Sequence, residues 1–184
     1  LGRIFFERQQ WNEAREALSR TLDIAAQLSD GEQAEAHFKL AFIAERSGDD
    51  AEALTHYTAS YKLNSGVLAT LEGLARMLYK REDWDRAFRV YQTILVRFRE
   101  EKSVPELVEL FCRLGEVNGQ LGKHDTAVRM YEKALELDPE SVRALKAIVF
   151  FYESLENWKK VLQFRYRLIK RLEGEDLFEQ WRRV

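Results

Sequence analysis

Proline, glycine and cysteine are scarce in this 184-residue chain, which contains two prolines, nine glycines and one cysteine. So few prolines and glycines argue against a loop-rich or disordered protein, because these residues mark turns and flexible segments. The single cysteine, Cys112, excludes an internal disulfide and favours a reducing compartment, so we predict a cytoplasmic location. The remaining composition is rich in alanine, leucine and charged residues, which favour helices.

A large net charge is also absent, since 29 basic residues balance 31 acidic ones. We therefore predict no nucleic-acid partner. No apolar run approaches the ~20 residues that cross a bilayer, so no membrane span is predicted. The charge is unevenly distributed: residues 1–67 carry 7 basic and 11 acidic side chains, whereas residues 142–184 carry 10 and 6. This asymmetry raises the hypothesis of self-association between acidic N-terminal and basic C-terminal ends.

Residue patterns typical of enzymes are missing. His37, His56 and His124 fall on three separate predicted helices without metal-ligand spacing. Neither a phosphate-binding GxxxxGK[ST] loop nor a GxSxG nucleophile motif occurs. The carboxylates alternate with lysines and arginines, as they do on solvated helix surfaces. We predict a chain that is not an enzyme and uses no cofactor and no metal.

The sequence contains instead a dyad of one large apolar and one small residue that recurs along the chain. The second residue of each dyad stands at position 2, 41, 75, 115 or 149, so the periods are 39, 34, 40 and 34 residues. Twelve residues after each of these positions stands Ala14, Ala53, Ala87, Ala127 or Val161. A sustained period in this range indicates a solenoid of stacked helix pairs.

The fourth unit has the fullest pattern, with Leu114-Gly115, Ala127, Tyr131 and Asp138-Pro139 in order. It resembles the tetratricopeptide repeat, and weaker copies extend the resemblance over essentially the whole chain. The resemblance implies an all-α, right-handed α-solenoid of about five helix-turn-helix units. Arg165 departs from the pattern, because it stands where the second helix usually carries an aromatic residue, and Phe164 or Tyr166 are alternatives for that packing position.

We predict a single array with repeats at about 1–32 (truncated at its start), 33–66, 67–104, 105–140 and 141–174, followed by a capping or sixth-repeat helix at 175–184. Gly174 is expected to end the last full helix. Asp30-Gly31 and Ser103-Val104-Pro105 are predicted turns, and longer second helices are expected to account for the two longer periods. Because the chain opens inside a repeat and without Met, we expect it to be part of a longer protein.

The resemblance also implies a concave groove, lined by the first helices, that binds a partner peptide or helix. Phe42, Tyr79 and Phe150 are predicted aromatic anchors on the groove wall, whereas Phe6 and Phe38 are more typical of packing between helices. Projecting the first helices onto a helical wheel predicts these groove residues: Phe38, Lys39, Phe42, Glu45, Glu72, Arg76, Tyr79, Arg113, Glu116, Arg143, Lys146, Phe150 and Glu153.

Two further surface features allow more than one interpretation. Trp11, Trp84 and Trp158 share one repeat position, which predicts packing at the turn between helices, whereas Trp181 breaks the series. The basic residues near the C-terminus form either a patch for an acidic partner or the solvated face of a second helix; they are Lys159, Lys160, Arg165, Arg167, Lys170 and Arg171.

The function that these patterns favour is a non-catalytic scaffold for protein–protein interaction. Two alternatives stay open. The chain is either a substrate-presenting or regulatory arm of a larger enzyme, or a structural element that stacks head to tail with copies of itself.

Overall fold

A computed structural model describes residues 1–171, and their regular structure is entirely helical. The predicted features at Gly174, Trp181 and 175–184 lie outside these residues. The all-α helical-repeat fold is confirmed. Within the described residues the helices are α1 (Gly2–Glu7), α2 (Trp11–Asp23), α3 (Asp30–Ser47), α4 (Asp50–Leu63), α5 (Leu68–Lys80), α6 (Trp84–Phe98), α7 (Val104–Gln120), α8 (His124–Leu137), α9 (Val142–Ser154) and α10 (Trp158–Ile169).

The chain divides into two compact units, Leu1–Val90 and Tyr91–Val184, and the division falls inside α6. In the first unit α1 packs on α2 and α3 packs on α4, while α3 also contacts α5. In the second unit α7 packs on α8, α9 packs on α10, and α7 contacts α9. Each unit therefore repeats one arrangement, in which a first helix packs on its own second helix and beside the first helix of the neighbouring repeat.

The turn between the two helices of a repeat has the same geometry in all five described repeats. Seven residues after each dyad the backbone is left-handed, with φ between 53° and 82°. Glycine occupies this position at Gly48 and Gly122, whereas Gln9, Glu82 and Glu156 adopt the same conformation without the freedom of glycine. The following amide donates to the carbonyl five residues earlier, as in a Schellman motif, in each of the five turns.

The two longer repeat periods, of 39 and 40 residues, do not arise from longer second helices. α2 and α6 end at Asp23 and Phe98 and give way to short 3-10 turns, Ala25–Gln27 and Arg99–Glu101. The following first helices, α3 and α7, are 18 and 17 residues long, whereas α5 and α9 have 13. The expectation of extended second helices is therefore wrong, because the extra residues lie in the 3-10 turn and at the start of the next first helix.

Asp30-Gly31 and Val104-Pro105 are likewise helical rather than turns. They form the first turns of α3 and α7, which begin after Ser29 and Ser103. Both serines belong to capping boxes: the Ser29 and Ser103 amides donate to Oε2 of the glutamate three residues on, each over 2.9 Å. The pattern Ser-x-x-Glu, with proline near the start of α7, is a signal for a helix N-terminus that the interpretation as turns missed.

Small residues in the first helices admit large side chains from the second helices. A Cβ added to Gly115 would lie 2.5 Å from Cε1 of Tyr131, and one added to Gly73 would overlap the ring of Tyr57. Ala41, Ala75 and Gly2, the dyad residues of the first unit, are buried. The tyrosine rings therefore lie directly on the first-helix backbone, and this approach sets the distance between the helices.

The core of the second unit gathers apolar side chains from both helix pairs, among them Phe111, Leu145, Ile148 and Phe164. Cys112 is fully buried in the same cluster. Burial raises the pKa of the Cys112 thiol to about 12, so the thiol stays protonated at neutral pH. A protonated and inaccessible thiol fits a packing role and not a reactive one.

Replacing Gly115 by alanine tests the close contact between α7 and α8. We expect Gly115→Ala to lower the free energy of unfolding by about 1–3 kcal/mol, because the new methyl group forces the buried Tyr131 ring to move. Urea-induced unfolding followed by circular dichroism measures this change.

Gly31→Ala is the matched control, since Gly31 also lies in a first helix but an added Cβ would meet nothing within 4 Å. Alanine there should leave stability unchanged or raise it by up to about 1 kcal/mol through helix propensity. Equal effects at the two positions would contradict the packing argument.

Candidate functional site

The predicted groove residues fall into two clusters, one in each unit. The first lies on α3 and α5 and the second on α7 and α9. Their members differ widely in accessibility: Lys39 is buried, Phe150 is 72% exposed, and most of the others are half-buried. The contacts of each cluster show which side chains already pack or form ion pairs within the chain.

Phe42 on α3 packs against the aromatic residues of the preceding helix pair. Its ring centroid lies 5.4 Å from that of Phe6 and 6.0 Å from that of Trp11, and Phe6 and Trp11 meet edge to face at 5.5 Å. The guanidinium of Arg46 lies 5.0 Å from the Trp11 ring centroid, in cation–π contact. Phe42 is therefore half-buried in an aromatic cluster, and its place on the groove wall stays a prediction.

Phe38 and Lys39 are also held by neighbours within the first unit. The Phe38 ring lies 6.1 Å from that of Tyr57, which agrees with the alternative that Phe38 packs between helices. The Lys39 ammonium lies 2.6 Å from a Glu35 carboxylate oxygen and 5.6 Å from the Phe6 ring centroid. Most of the Lys39 side chain is thus buried, and only Glu35 of this ion pair is well exposed.

Glu45 joins three helices of the first unit. Its carboxylate accepts a 2.7 Å hydrogen bond from the Tyr57 hydroxyl of α4 and bonds of 2.9 and 3.0 Å from the Arg76 guanidinium of α5. Burial alone would raise the pKa of Glu45, but the hydrogen bonds from Arg76 and Tyr57 outweigh burial and lower it. Beside this network, the Lys80 ammonium lies 2.7 Å from Asp50.

Tyr79 on α5 packs edge to face on Trp84 of α6, with ring centroids 5.3 Å apart. This pair repeats the Phe6–Trp11 pair at the same two repeat positions. The half-buried Tyr79 therefore packs at the turn between α5 and α6. Glu72 is also half-buried and lies two turns before Tyr79 on α5.

In the second unit, four charged side chains of alternating sign form a closed ring. Arg143 of α9 binds Glu109 at 2.9 Å and Glu116 at 2.6 Å, and Arg113 of α7 binds the same two carboxylates at 2.8 and 3.3 Å. Burial alone would lower the pKa of Arg143, but its hydrogen bonds to Glu116 and Glu109 raise it. The ring ties the first helices α7 and α9 together on the face where the groove was predicted.

Phe150 has no comparable packing and is the exposed aromatic residue of this row. It corresponds to Phe42, since each follows its dyad directly. Phe42 rests on Phe6 of the preceding repeat, but the residue corresponding to Phe6 before Phe150 is Gly119, which offers no side chain. Lys146 and Glu153 lie one turn before and after Phe150 on the same face of α9. This arrangement leaves a large apolar side chain between charged neighbours.

Arg165 keeps the register of its repeat although it replaces an aromatic residue. It is only 3% exposed and occupies the position of Tyr57 and Tyr131. Its guanidinium pairs with Glu153, whose position corresponds to that of Glu45, the acceptor of the Tyr57 hydroxyl. An ion pair thus replaces the tyrosine–glutamate hydrogen bond. Phe164 is buried beside it, whereas Tyr166 is exposed, so of the two alternatives only Phe164 joins the core.

A family model described as a tetratricopeptide repeat matches residues 1–65 and 66–140. The chain belongs to the tetratricopeptide repeat family. Curated relatives include proteins named Photosystem I assembly protein Ycf3. The one from Prochlorococcus marinus is 28% identical over 149 residues, which cover 79% of this chain and 83% of the relative. That of a Synechococcus strain is 27% identical over 132 residues, or 70% and 75% of the two chains.

Solved structures share the fold at lower identity. A crystal structure of MamA superposes with a TM-score of 0.73 at 18% identity and covers 93% of this chain and 94% of MamA. A tetratricopeptide repeat protein from Parabacteroides merdae superposes with a TM-score of 0.77 at 22% identity, over 97% of this chain and 67% of that one. These similarities support the architecture alone.

The three tryptophans at the shared repeat position differ in packing, because the residues at the corresponding partner position differ. Trp11 and Trp84 pack on Phe6 and Tyr79, as predicted for the turn between helices. Trp158 is 60% exposed, and its predicted packing is wrong. The residue that corresponds to Phe6 and Tyr79 in its repeat is Glu153, which binds Arg165.

The basic residues near the C-terminus do not form one solvated face. Arg165 is buried, Arg171 pairs with Glu140, and Arg167 donates to the Pro139 carbonyl over 2.7 Å. Lys159 and Lys170 are exposed.

Two of the three histidines, predicted on separate helices, meet in the first unit. The Nδ1 atoms of His37 and His56 are 2.8 Å apart, so in the neutral pair one ring donates and the other accepts. Burial lowers the pKa of both histidines, and His56 lowers that of His37 further. Nearby, the Glu52 carboxylate lies 3.9 Å from Nε2 of His56 and pairs with Arg15. The sequence pattern placed His37 and His56 on different helices but did not show that the packing of α3 on α4 brings their rings together.

Residues 1–171 contain neither a membrane-spanning helix nor a cluster of metal ligands. Among residues 1–171, no helix is both long and apolar enough to pass through a membrane. The same residues contain no group of three or more histidine, cysteine, aspartate or glutamate side chains placed to hold a metal ion.

Replacing Glu45 tests the network that links α3, α4 and α5. At neutral pH we expect Glu45→Gln to lower the free energy of unfolding by about 1–3 kcal/mol, because Arg76 and Tyr57 lose a charged acceptor. Glu16→Gln, which breaks the exposed Arg20–Glu16 pair, is the control and should cost less than about 1 kcal/mol.

The stability difference between the wild type and Glu45→Gln should depend on pH, because the pKa of Glu45 is lowered in the folded chain. A lowered pKa means that Glu45 stabilises the fold above its ordinary pKa of 4.5 and loses that effect as the pH falls below it. The difference between wild type and Glu45→Gln in urea unfolding should therefore shrink on acidification. A difference that is constant down to pH 3 would be inconsistent with this assignment.

The histidine pair predicts a second pH effect. Because folding lowers both pKa values, the unfolded chain binds protons more readily, so stability should fall as the pH drops through 6.5. The double variant His37→Gln/His56→Gln should lose part of this dependence in thermal unfolding between pH 7.5 and 5.5. His124→Gln, at an exposed position in the other unit, should retain it; loss of the dependence there would point to a different origin.

Proposed function

We propose that this tetratricopeptide repeat chain is a non-catalytic scaffold that binds a partner peptide or helix along its first helices. The observation that carries the proposal is the exposure of Phe150 in the middle of α9. A large aromatic residue held on a rigid helix provides contact area with little loss of side-chain entropy on binding. Family membership supports the proposal, because helical-repeat arrays present extended binding surfaces.

The surroundings of Phe150 favour a partner with one apolar side chain and polar neighbours. Lys146 is exposed one turn before Phe150, and Glu153 lies one turn after it, already paired with Arg165. Farther along the row, the ring of Arg113, Glu116, Arg143 and Glu109 provides fixed charges of both signs. Charges that are held in place before binding favour specificity and register more than affinity.

The first unit, taken by itself, presents a more polar set of candidate contacts. Phe38, Lys39 and Phe42 are largely committed to packing, so the accessible members of the predicted row are charged, chiefly Arg76 together with the neighbouring Lys80. We propose these residues, with Glu45, Glu72 and Tyr79, as secondary contacts.

The curated relatives are named as assembly proteins for photosystem I. An assembly protein must hold other proteins, and this supports a scaffold function for the present chain without naming its partner. The absence of enzyme motifs from the sequence agrees with a non-catalytic role. The enzyme-arm alternative and the cytoplasmic location remain predictions.

Phe150→Ala tests the proposed anchor. Peptides selected from a displayed random library on the immobilised wild-type chain should bind the variant about tenfold or more weakly, because the variant lacks the central apolar contact. Fluorescence anisotropy with the selected peptides measures the dissociation constants. Stability should change by less than about 0.5 kcal/mol, since the residue is exposed.

Val96→Ala is the matched control, because Val96 is also an exposed apolar residue of the second unit but lies on the second helix α6, outside both proposed surfaces. It should leave binding of the selected peptides unchanged. A selection in which no peptide binds Phe150→Ala more weakly than the wild type would rule out α9 as the site.

A further inference from the structure

Helix α10 carries a row of exposed apolar side chains that the proposed groove does not use. Trp158, Leu162 and Tyr166 are 60%, 50% and 60% exposed and follow one another at intervals of four residues. Residues at this spacing lie along one side of a helix, and the row extends over about 12 Å. Three large apolar side chains in one exposed row are unusual on a helix whose other side is packed.

The shape of this surface is suited to a helix. In the preceding repeat Val128 of α8 corresponds to Leu162, and there α9 packs beside α8. Val128 is accordingly half-buried against the core of the unit. In the part of the chain that the structure describes, no helix follows α10 in the same way. Leu162 therefore lies where the repeat geometry elsewhere places a packed helix.

The charge beside the row is basic. Residues 158–171 include six basic and no acidic side chains. Arg165 and Arg171 are neutralised by Glu153 and Glu140, but Lys159 and Lys170 are exposed and lie within about 40° of Tyr166 on an ideal helical wheel. The Lys170 ammonium lies 4.4 Å from the Tyr166 ring centroid. A partner that covers the row would place its own flanking residues against these lysines.

We propose that Trp158, Leu162 and Tyr166 form a docking surface for an acidic amphipathic helix of a partner protein. The partner's apolar seam packs on the row, and its acidic flank faces Lys159 and Lys170. The narrowness of the row favours a helix over an anionic membrane, because Val161, Phe164 and Leu168 on the other side of α10 are buried in the core. A helix lying in a membrane interface needs a wide apolar face, whereas a helix–helix seam needs only one row.

This surface is separate from the groove proposal, since it lies on a second helix and includes neither Phe150 nor the charged ring. If both surfaces bind, one repeat unit contacts two different partner segments. The two proposals can therefore fail independently, and the variants below distinguish them.

A library of displayed helical peptides, about 18 residues long with a fixed leucine seam, tests the partner's chemistry directly. The positions beside the seam encode glutamate or lysine with equal frequency. Selection on the full wild-type chain should enrich glutamate at those positions. An enriched peptide should bind Leu162→Ser or Tyr166→Ser about tenfold or more weakly, and the charge reversal Lys159→Glu/Lys170→Glu should remove the preference for glutamate.

Phe150→Ala is the control for the separate groove and should bind the enriched peptide like the wild type. Circular dichroism melting establishes that each variant is folded; Tyr166→Ser, at a position 60% exposed, keeps the test valid if Leu162→Ser is unstable.

Several outcomes would overturn the proposal. One is equal enrichment of glutamate and lysine, and another is undiminished binding to both serine variants. Three more identify a different occupant: binding to phosphatidylserine vesicles that Leu162→Ser abolishes while no peptide binds, a dimer in sedimentation that Leu162→Ser dissociates, or peptide binding only after Leu177→Ser/Phe178→Ser. These indicate a membrane, a second copy, and the chain's own C-terminal segment, respectively.

Discussion

The close approach of the two helices in a repeat is the constraint on which the other features depend. A large second-helix side chain rests on a small first-helix residue, as the Tyr131 ring rests on Gly115. This contact fixes where the polar end of the large side chain lies. In the first unit the Tyr57 ring lies against Gly73 of α5, and its hydroxyl donates to Glu45 of α3, which also accepts from Arg76 of α5. The packing and the hydrogen bonds of one tyrosine thus join α3, α4 and α5.

The dyads were sufficient to predict the helices and their order, because a small residue in each first helix is a requirement of the packing. Helices α4 (Asp50–Leu63) and α8 (His124–Leu137) lie within the predicted repeats 33–66 and 105–140. The starts of α3 and α7 were missed because Asp30-Gly31 and Pro105 were interpreted as turn residues. The capping pattern Ser-x-x-Glu, present in the sequence at both places, outweighs them. Local signals of this kind were available and misinterpreted.

The candidate site was harder to predict than the helices, because the exposure of each side chain depends on contacts between residues in different repeats. Phe42 and Phe150 occupy one repeat position, yet Phe42 packs on Phe6, whereas Phe150 is exposed and the residue that corresponds to Phe6 is Gly119. A helical wheel treats one helix at a time and therefore assigned both to the groove wall. The ion pairs Glu45–Arg76 and Glu109–Arg143 join residues more than thirty positions apart, and only the repeat register brings them together.

Residues at the same repeat position differ in whether they have a packing partner. Where every repeat position has its partner, as with Phe6, Trp11 and Phe42, the side chains serve stability. Where the corresponding partner position carries Gly119 or Glu153, the aromatic residues Phe150 and Trp158 are exposed. In the same repeat, Glu153 and Arg165 form an ion pair in place of the tyrosine–glutamate hydrogen bond. Departures from the repeat pattern are therefore the positions at which aromatic side chains stay exposed instead of packing.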